Sequence, residues 1–425
     1  MTNETAGPGT ASAEQVDIVI VGAGMVGLTT ALALADSGLQ ISILESRDVA
    51  LERVANQLIA QQAQGYDPRV SALTCASQQI LAHIGAWPAM AAARVSPYTD
   101  MDVWDGEGTG HIHFCSRELH EPTLGHIVEN RVTVAALLQQ LAEHPDLTLR
   151  SGVQVSGLSA PLAGDQRRLT LTDGTELQTQ LVIACDGALS RTRQMAGIPL
   201  LEWDYGHHAI VTTVTTEQPH QATAWQRFTD DGPLAMLPLA DPHRCSLVWS
   251  TSPGHARDLQ ALDDDAFCQA LGQAFEHRLG AITGSDPRHC FPLRQRHAKD
   301  YVRPGIAVIG DAAHTIHPLA GQGVNLGLLD AAALADTLLT AIAQGECYGS
   351  ERVLKRFERE RQTSNLQMSA AMEGFKRLFN SQQPALRLAR NLGMTLMNRL
   401  GPVKNHVVQQ AMGLSGELPP LARRR

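Results

Sequence analysis

The segment from Gly310 to Asn325 combines residue types that can hold a flat, polar ligand. It follows an apolar run, residues 306–309, which predicts a buried strand that ends at Gly310. Asp311 would then lie at the carboxyl end of that strand, which is where open α/β sheets bind their ligands. The spacing therefore makes Asp311 a candidate ligand contact.

The second half of this segment predicts a close backbone approach followed by a helix. Gly321 and Gly323 flank Gln322, so the backbone there can come near a flat ligand. A helical pattern begins near Asn325, with these apolar positions on one face: Val324, Leu328, Ala331, Ala335, Leu338 and Ile342. The helix amino terminus carries free N–H groups and the positive end of the dipole, which suits a ligand that becomes anionic. An ordinary strand–turn–helix would not require an acid and paired glycines at these offsets.

A second pattern, near the amino terminus, predicts a dinucleotide-binding unit. Residues 16–21 form a strand pattern, and a helix-like run extends to Asp36. Between them lie the three glycines of a GxGxxG pattern: Gly22, Gly24 and Gly27. A second strand, residues 39–44, ends at Glu45. The glycines permit a tight turn and close approach to a pyrophosphate, and Glu45 would hold the ribose hydroxyls.

A third motif completes a recognisable set. Residues 181–184 predict a strand that is followed by Asp186, Gly187 and then Arg193. Together with the GxGxxG and Gly–Asp patterns, this Asp–Gly motif resembles the fingerprints of the class A flavoprotein aromatic hydroxylases. Cys185 departs from that family, which more often has a small residue such as alanine there.

The resemblance implies FAD as the cofactor and NAD(P)H as a transient co-substrate. In that family the GxGxxG motif, called the first motif below because it comes first in the chain, binds the ADP part of FAD. The Asp–Gly motif lies near the pyrophosphate, and the acid of the Gly–Asp motif holds the ribityl chain. The implied cofactor-binding residues are Gly22, Gly24, Gly27, Glu45, Arg69, Arg131, Asp186, Gly187, Gly310, Asp311, Gly321, Gly323, Val324 and Asn325. For Arg69 the alternative is an ordinary surface or capping charge.

Longer segments resemble one branch of the family. The string from His317 to Gly327 is similar to the signature of the ubiquinone-biosynthesis hydroxylases. Further segments resemble the bacterial members that act on a 2-polyprenylphenol: residues 125–130, 203–209, 237–239, 245–250 and 410–414. The flavin motifs are shared by paralogues that act at other ring positions, so the branch depends on these segments.

This branch implies hydroxylation of a polyprenylated phenol ortho to the phenol oxygen, using NAD(P)H and O2 through a flavin C4a-hydroperoxide. The implied catalytic residues are His317, Pro318 and Gln322, in a loop that forms one wall of the site. Because an unperturbed histidine side chain titrates near neutrality, His317 is a candidate for deprotonating the phenol, or else it fixes the loop. The alternatives are a paralogous hydroxylase acting at another ring position, an FAD oxidase, and a flavin-bound scaffold subunit of a quinone-biosynthesis complex.

The implied fold is α/β. It comprises a Rossmann-like FAD-binding domain of the p-hydroxybenzoate hydroxylase type, an inserted, mostly antiparallel β-sheet substrate domain, and a C-terminal helical region. The predicted division is a disordered amino terminus at 1–15, FAD-binding segments at 16–75, 125–200 and 291–345, substrate-domain segments at 76–124 and 201–290, and C-terminal helices at 346–425.

Composition excludes several other classes. With 425 residues and a net charge of -9, the chain is large enough for a sizeable core and is not a nucleic-acid binder. Its 7 cysteines are dispersed without a CxxC pattern, which favours reduced thiols and a cytoplasmic location. Its 17 histidines show no metal-ligand spacing, so we expect no metal site.

The carboxyl-terminal region carries an apolar stripe with two open interpretations. Its apolar residues, Met368, Met372, Phe375 and Phe379, recur at helical spacing. One interpretation is packing against the protein's own core or a subunit partner. The other is a helix on a membrane surface, which would make the protein peripheral to the inner membrane and suit a lipid-soluble substrate.

Overall fold

The computed structural model describes residues 13–49, 65–106, 108–315, 322–379 and 417–424, and scattered residues from 383 to 413. Its strands in chain order are β1 (Glu14–Val21), β2 (Ile41–Glu45), β3 (Val70–Leu73), β4 (Ser96–Tyr98), β5 (Asp100–Asp105), β6 (His111–Cys115), β7 (Gly125–Glu129), β8 (Leu147–Ser151), β9 (Val155–Leu158), β10 (Arg167–Leu171), β11 (Glu176–Ala184), β12 (Leu200–Thr216), β13 (Thr223–Thr229), β14 (Gly232–Pro238), β15 (Arg244–Thr251), β16 (Ile282–Ser285), β17 (His289–Ala298), β18 (Val302–Arg303), β19 (Ile306–Val308) and β20 (His314–Thr315). Its α-helices are α1 (Met25–Ala33), α2 (Cys75–His83), α3 (Trp87–Ala93), α4 (Asn130–Leu141), α5 (Arg191–Met195), α6 (Pro253–Ala261), α7 (Asp264–Ala274), α8 (Gln322–Ala343) and α9 (Glu351–Phe379).

The first sheet has the strand order β18-β19-β11-β1-β2-β8, in which all neighbours are parallel except β18, which pairs antiparallel with β19. β1 pairs in parallel with β11 on one side and with β2 on the other, so Ile18 lies opposite both Leu181 and Ile41. The carboxyl-terminal half of β1 is apolar and buried because both faces of the sheet are covered. Ile18 and Ile20 pack against helices on one face, and Val19 and Val21 pack against β9 and β10 on the other. β10 pairs antiparallel with β11 and with β9 at the margin.

Helix α8 is the central helix of this layer. It packs against α1 and α9, and Leu328, Leu334 and Leu338 are fully buried. By length and hydropathy α8 could cross a membrane, but 61% of its apolar stretch is buried inside the protein. Its apolar character is therefore accounted for by the core. Of the predicted apolar face, Leu328, Ala331, Ala335 and Leu338 are buried, and Val324 and Ile342 at its ends are half-buried.

The second sheet is mostly antiparallel, in the order β20-β17-β12-β15-β14-β13-β5-β6. Helices α6 and α7 cover one of its faces, where Phe267 and Leu271 pack against Ile210 and Val214 of β12. Alternation along β12 places Ala209 and Val211 on the opposite, inner face. This layer and the parallel sheet confirm the predicted α/β class with a mostly antiparallel second sheet.

The chain crosses from the first sheet to the second within a few residues. β19 pairs with β11 in the first sheet, whereas β20, which begins after only five intervening residues, pairs with β17 in the second. The segment Gly310–Ala313 makes this crossing. The predicted ligand contact Asp311 therefore lies at the junction of the two sheets.

The structure refines several segments of the predicted division. Strand β1 already begins at Glu14, inside the range predicted to be disordered. Helices α2 and α3, predicted to belong to the substrate domain, contribute Ile80 and Met90 to the core of the first sheet. β17, predicted as part of the FAD-binding domain, pairs along its length with β12 of the second sheet. The division into domains stays a prediction.

Two buried histidines oppose the folded state in acid. His126 on β7 and His297 on β17 are 8% and 4% exposed. Burial lowers the pKa of each imidazole to about 4, and the neighbouring His314 contributes at His297. An unfolded histidine titrates near 6.5, so the unfolded state binds more protons below that pH. Stability is therefore fully present above pH 6.5 and is lost as the pH falls toward 4.

We expect the free energy of unfolding to fall by about 2 kcal/mol for each of these histidines between pH 7 and pH 5. Urea unfolding at pH 7, 6 and 5 measures this change. His126→Gln removes one titrating group and should flatten the pH dependence, whereas the exposed control His289→Gln should keep that of the parent. Equal pH dependence in the parent and His126→Gln would contradict the assignment.

Candidate cofactor-binding and active site

A cleft opens at the carboxyl ends of the parallel strands β1, β2 and β11. Its cavity has a volume of about 480 Å³. It is lined by Val21, Gly22, Gly24, Leu44, Glu45, Ser46, Arg47, Val153, Gln154, Val155, Cys185, Asp186, Gly187, Leu189, Arg191 and Thr192. The GxGxxG and Asp–Gly motifs thus meet at one edge of the sheet, where ligands of such sheets bind.

The glycines of the first motif are required by close backbone contacts. Gly22 has φ +108°, and a Cβ there would lie 2.5 Å from the carbonyl oxygen of Cys185. A Cβ on Gly27 would lie 2.0 Å from the carbonyl oxygen of Gly22. Gly24 is the N-cap of α1 and faces open space, so a ligand can approach the helix terminus without a side chain in the way.

Glu45 is held as an ionised acceptor at the end of β2. Its Oε2 accepts a hydrogen bond from the Ala23 backbone N–H at 3.0 Å, and its Oε1 accepts from the Arg47 backbone N–H at 3.0 Å. Burial raises the pKa of this carboxyl, but the hydrogen bonds from Arg47 and Ala23 outweigh burial, and the pKa lies below its usual value. A negatively charged acceptor at this place fits ribose hydroxyl donors.

Asp186 organises the turn after β11. Its carboxylate accepts hydrogen bonds from Ser190 Oγ at 2.5 Å and from the backbone N–H of Thr192 at 3.1 Å, at the start of α5. Gly187 has φ +84°. The buried Arg193 then donates from its guanidinium to the Ala312 carbonyl oxygen at 2.8 Å. Arg193 therefore joins the Asp–Gly turn to the segment that carries Asp311.

The Gly–Asp segment lies against the first motif. Gly310 has φ +58°, and a Cβ there would lie 3.1 Å from Val26 of α1. Asp311 is exposed although Gly310 and Ala312 on either side of it are buried. Surrounding protein raises the pKa of the Asp311 carboxyl, which His314 partly opposes. Asp311 thus presents an acceptor at the junction of the sheets.

Asn325 lies at the start of α8, but its side chain is engaged within the protein. Its Oδ1 accepts hydrogen bonds from the Thr74 backbone N–H at 3.0 Å and from Ser77 Oγ at 2.7 Å. Its Nδ2 donates to the Ala72 carbonyl oxygen at 2.8 Å. A cofactor contact at Asn325 would therefore come from its backbone. The neighbouring Val324 is half-buried.

The two predicted arginines differ in their surroundings. Arg131 donates to Glu129 at 2.9 Å and to the Gly65 carbonyl oxygen at 2.6 Å. Arg69 is 67% exposed and lies 3.9 Å from Asp67. The guanidinium of Arg69 is thus more open to a ligand than that of Arg131. Binding by either residue stays a prediction.

Some predicted residues cannot be placed. His317, Pro318 and Gly321 lie outside the described residues, and of Gln322 only the backbone, at the start of α8, is described. Gly323 is half-buried with open space where a Cβ would lie. Within the described part of the chain, no group of three or more metal-ligating side chains could hold a metal ion.

Sequence reasoning missed one residue of this region, Asp330. It is fully buried on α8 and accepts hydrogen bonds from the Gly310 backbone N–H at 3.2 Å and from His314 Nε2 at 2.5 Å. An acid within a mostly apolar helical run was the available signal, because a buried acid requires partners.

The seven cysteines are free thiols with unequal surroundings. Cys347 is exposed, whereas Cys185 lies against the Gly22 carbonyl oxygen beneath the first motif. Burial and the nearby acids Asp186 and Glu45 raise the pKa of the Cys185 thiol well above its usual value. Cys185 therefore acts as a small packing residue, as an alanine there would.

Comparison with known proteins agrees with this geometry. A family model described as "FAD binding domain" matches residues 15–371. The chain is 41% identical over 401 residues to the 3-demethoxyubiquinol 3-hydroxylase of Escherichia coli (strain K12), covering 94% of this chain and 99% of that protein. It is 37% identical to the mitochondrial ubiquinone biosynthesis monooxygenase COQ6 of Xenopus tropicalis, covering 92% of each chain.

Solved structures share the fold. The p-nitrophenol 4-monooxygenase PnpA of Pseudomonas putida DLL-E4 superimposes with a TM-score of 0.75 at 20% identity, covering 95% of this chain and 99% of that one. Gly22, Gly24 and Gly27 form a glycine cradle that a phosphate group can approach. This cradle, the ionised Glu45 and the exposed Asp311 fit FAD, which is therefore the cofactor. The chain belongs to the FAD-dependent aromatic hydroxylases and, within them, to the ubiquinone-biosynthesis hydroxylase family.

Proposed function

We propose that this enzyme adds one oxygen atom to a polyprenylated phenol at the carbon ortho to the phenol oxygen, in ubiquinone biosynthesis, using NAD(P)H and O2. The position of Asp311 carries the proposal. It is exposed at the junction of the two sheets, so a flavin held from the first sheet would face the second. FAD supplies the oxygen-transfer chemistry when it is bound and reduced.

The chain's own residues would bind and orient the reactants. Glu45 would accept hydrogen bonds from the ribose, and Asp311 from the ribityl hydroxyls. The inner face of the second sheet offers an apolar wall through Ala209, Val211 and Leu293. Such a wall excludes water from the reacting ring, which protects an oxidising intermediate from decay. His317 as the base for the phenol proton, with Pro318 and Gln322 in the same loop, stays a prediction.

An apolar cluster beside the second sheet suits the prenyl chain. Phe228 of β13 stacks on Phe379 at the end of α9, with ring centroids 3.9 Å apart. Val103 and Met394 complete the buried part of this cluster. A long hydrocarbon gains free energy in proportion to the apolar area it buries, so a cluster of this kind is a favourable neighbour for a prenyl tail.

A second candidate is hydroxylation at another ring position. The relative with 41% identity is named for action on 3-demethoxyubiquinol, whereas the ortho position follows from sequence segments outside the flavin motifs. Turnover of a 2-prenylphenol compared with turnover of a 3-demethoxyubiquinol distinguishes the two.

Contact with a membrane surface is a further part of the proposal. Leu392 and Leu396 are 61% and 57% exposed, near the buried Met394. The basic residues described in this region are neutralised within the protein, since Arg387 pairs with Asp230 at 2.5 Å and Lys404 with Glu118 at 2.7 Å. Apolar burial would therefore dominate lipid binding, with little dependence on salt. That the protein is cytoplasmic and peripheral to the inner membrane stays a prediction. Its association with other quinone-biosynthesis enzymes likewise stays a prediction.

Asp311→Ala removes the proposed ribityl acceptor and should weaken FAD binding by about tenfold or more, because hydrogen bonds to a charged group contribute 1.5–3 kcal/mol in typical proteins. Flavin fluorescence titration measures the change. Asp336→Ala removes an exposed acid of α8 and serves as the control. Full FAD occupancy in Asp311→Ala would contradict the role given to this residue.

The holoenzyme, incubated with NAD(P)H, 18O2 and a short-chain 2-prenylphenol, should yield a product that carries one labelled oxygen ortho to the phenol. Mass spectrometry and ring substitution by NMR identify it. A parallel reaction uses a short-chain 3-demethoxyubiquinol. Turnover of the second substrate alone would move the enzyme to the other ring position. Peroxide without labelled product from either would refute hydroxylation of these substrates and favour an oxidase.

Leu392→Gln combined with Leu396→Gln should lower co-sedimentation with anionic liposomes by about tenfold, since each exposed leucine loses its apolar burial in lipid. FAD content should stay that of the parent. Leu366→Gln is the matched control, since Leu366 is also an exposed leucine but lies on α9, away from Leu392 and Leu396 in sequence. Equal sedimentation of all three proteins would exclude membrane contact through Leu392 and Leu396.

A further inference from the structure

The carboxylate of Asp330 accepts hydrogen bonds from two separate parts of the chain. It is fully buried. Besides Gly310 and His314, which flank Asp311 in sequence, it accepts hydrogen bonds from Arg361 Nε at 2.9 Å and Asn365 Nδ2 at 3.1 Å, both on α9. A helix that lies outside all three flavin motifs is thereby bonded to the segment that carries Asp311.

The charge at Asp330 is maintained by its partners. Burial alone would raise the pKa of this carboxyl, but His314 and Arg361 together hold the pKa well below its usual range. Arg361 is itself buried, so each charge depends on the other. Removing one member of such a pair leaves an uncompensated buried charge, whereas replacing both can be neutral for stability.

Helix α9 holds this arrangement through successive turns. Glu358 accepts the backbone N–H of Tyr301 at 2.8 Å, and Asn365 Nδ2 lies 3.3 Å from the Tyr301 hydroxyl. The Arg361 guanidinium also donates to Asn365 Oδ1 at 3.1 Å. The Tyr301 ring stacks on His314, with centroids 5.9 Å apart. The imidazole that contacts Asp330 is therefore fixed from two sides.

A purely stabilising role accounts poorly for this placement. A buried ion pair is weak support for stability, because its desolvation cost offsets most of the attraction. Two of the donors to Asp330 instead lie on either side of Asp311 in sequence: the Gly310 N–H and the ring of His314, the first residue of β20. These bonds fix the backbone that orients the Asp311 carboxylate.

We propose that Asp330 and Arg361 are positioning residues for FAD. Through the Gly310 N–H and the His314 imidazole they hold the crossing segment in the conformation in which Asp311 accepts ribityl hydroxyls. Helix α9 thereby sets flavin affinity without touching the flavin. The inference depends on FAD binding, and it is independent of which phenol the enzyme hydroxylates.

Asp330→Asn and Arg361→Gln should each raise the FAD dissociation constant by about tenfold or more, measured by fluorescence titration of protein stripped of flavin. The visible circular dichroism of the bound flavin should also change, because Asp311 is reoriented beside it. The control is Arg356→Gln, on the same helix α9, which removes an ion pair with Glu346. It should leave the FAD dissociation constant and the flavin dichroism unchanged.

The double variant Asp330→Asn/Arg361→Gln separates positioning from folding, since it removes both charges together. Weakened FAD binding and an altered flavin dichroism in a double variant that unfolds at the urea concentration of the parent would support the proposal. FAD affinity within twofold of the parent in that variant would overturn it. If no neutral variant folds, Arg361→Lys provides the test, because lysine keeps the positive charge and loses the Nε donor to Asp330. Unchanged FAD affinity and unchanged flavin dichroism in Arg361→Lys would likewise overturn the proposal.

Discussion

The crossing of the chain between two sheets is the constraint on which the site depends. β19 must pair in the first sheet and β20 in the second, so Gly310–Ala312 has to turn sharply between strands that belong to different sheets. Its backbone polar groups find partners elsewhere: the Gly310 N–H on Asp330 and the Ala312 carbonyl on Arg193. Buried backbone groups require such partners, so one carboxylate and one guanidinium determine where Asp311 lies.

Close packing of α1 against α8 also supports the segment Gly310–Ala313. A Cβ on Gly327 would lie 2.7 Å from Val26 and 3.3 Å from the Gly310 Cα. The small residues therefore let the GxGxxG motif and the Gly–Asp segment approach each other directly. The cradle for the ADP part and the acceptor for the ribityl chain are consequently parts of one rigid unit, although they are separated by nearly 300 residues in sequence.

The sequence was sufficient for features that are local. An apolar run, a glycine turn, a helix and a terminal acid lie within thirty residues, so the β1–α1–β2 unit and Glu45 follow from pattern alone. The place of Asp311 after a buried strand also follows. Asn325 was assigned by resemblance as a cofactor contact, yet its side chain bonds to Ala72, Thr74 and Ser77, about 250 residues away. Spacing carries no information on such pairings, and the crossing between sheets depends on strand registers that form only in the folded protein.

The surroundings of the cysteines determine how this enzyme responds to thiol reagents. Only a thiolate reacts readily, and the thiols of Cys75, Cys185, Cys245, Cys268 and Cys290 all have raised pKa values. Cys115 is buried, which leaves Cys347 as the exposed thiol beyond α8. A fluorophore or spin label would therefore attach at Cys347 without mutagenesis and leave the flavin cradle chemically untouched. The native chain can thus be labelled at a single site, and the label can report its binding to lipid or to protein partners.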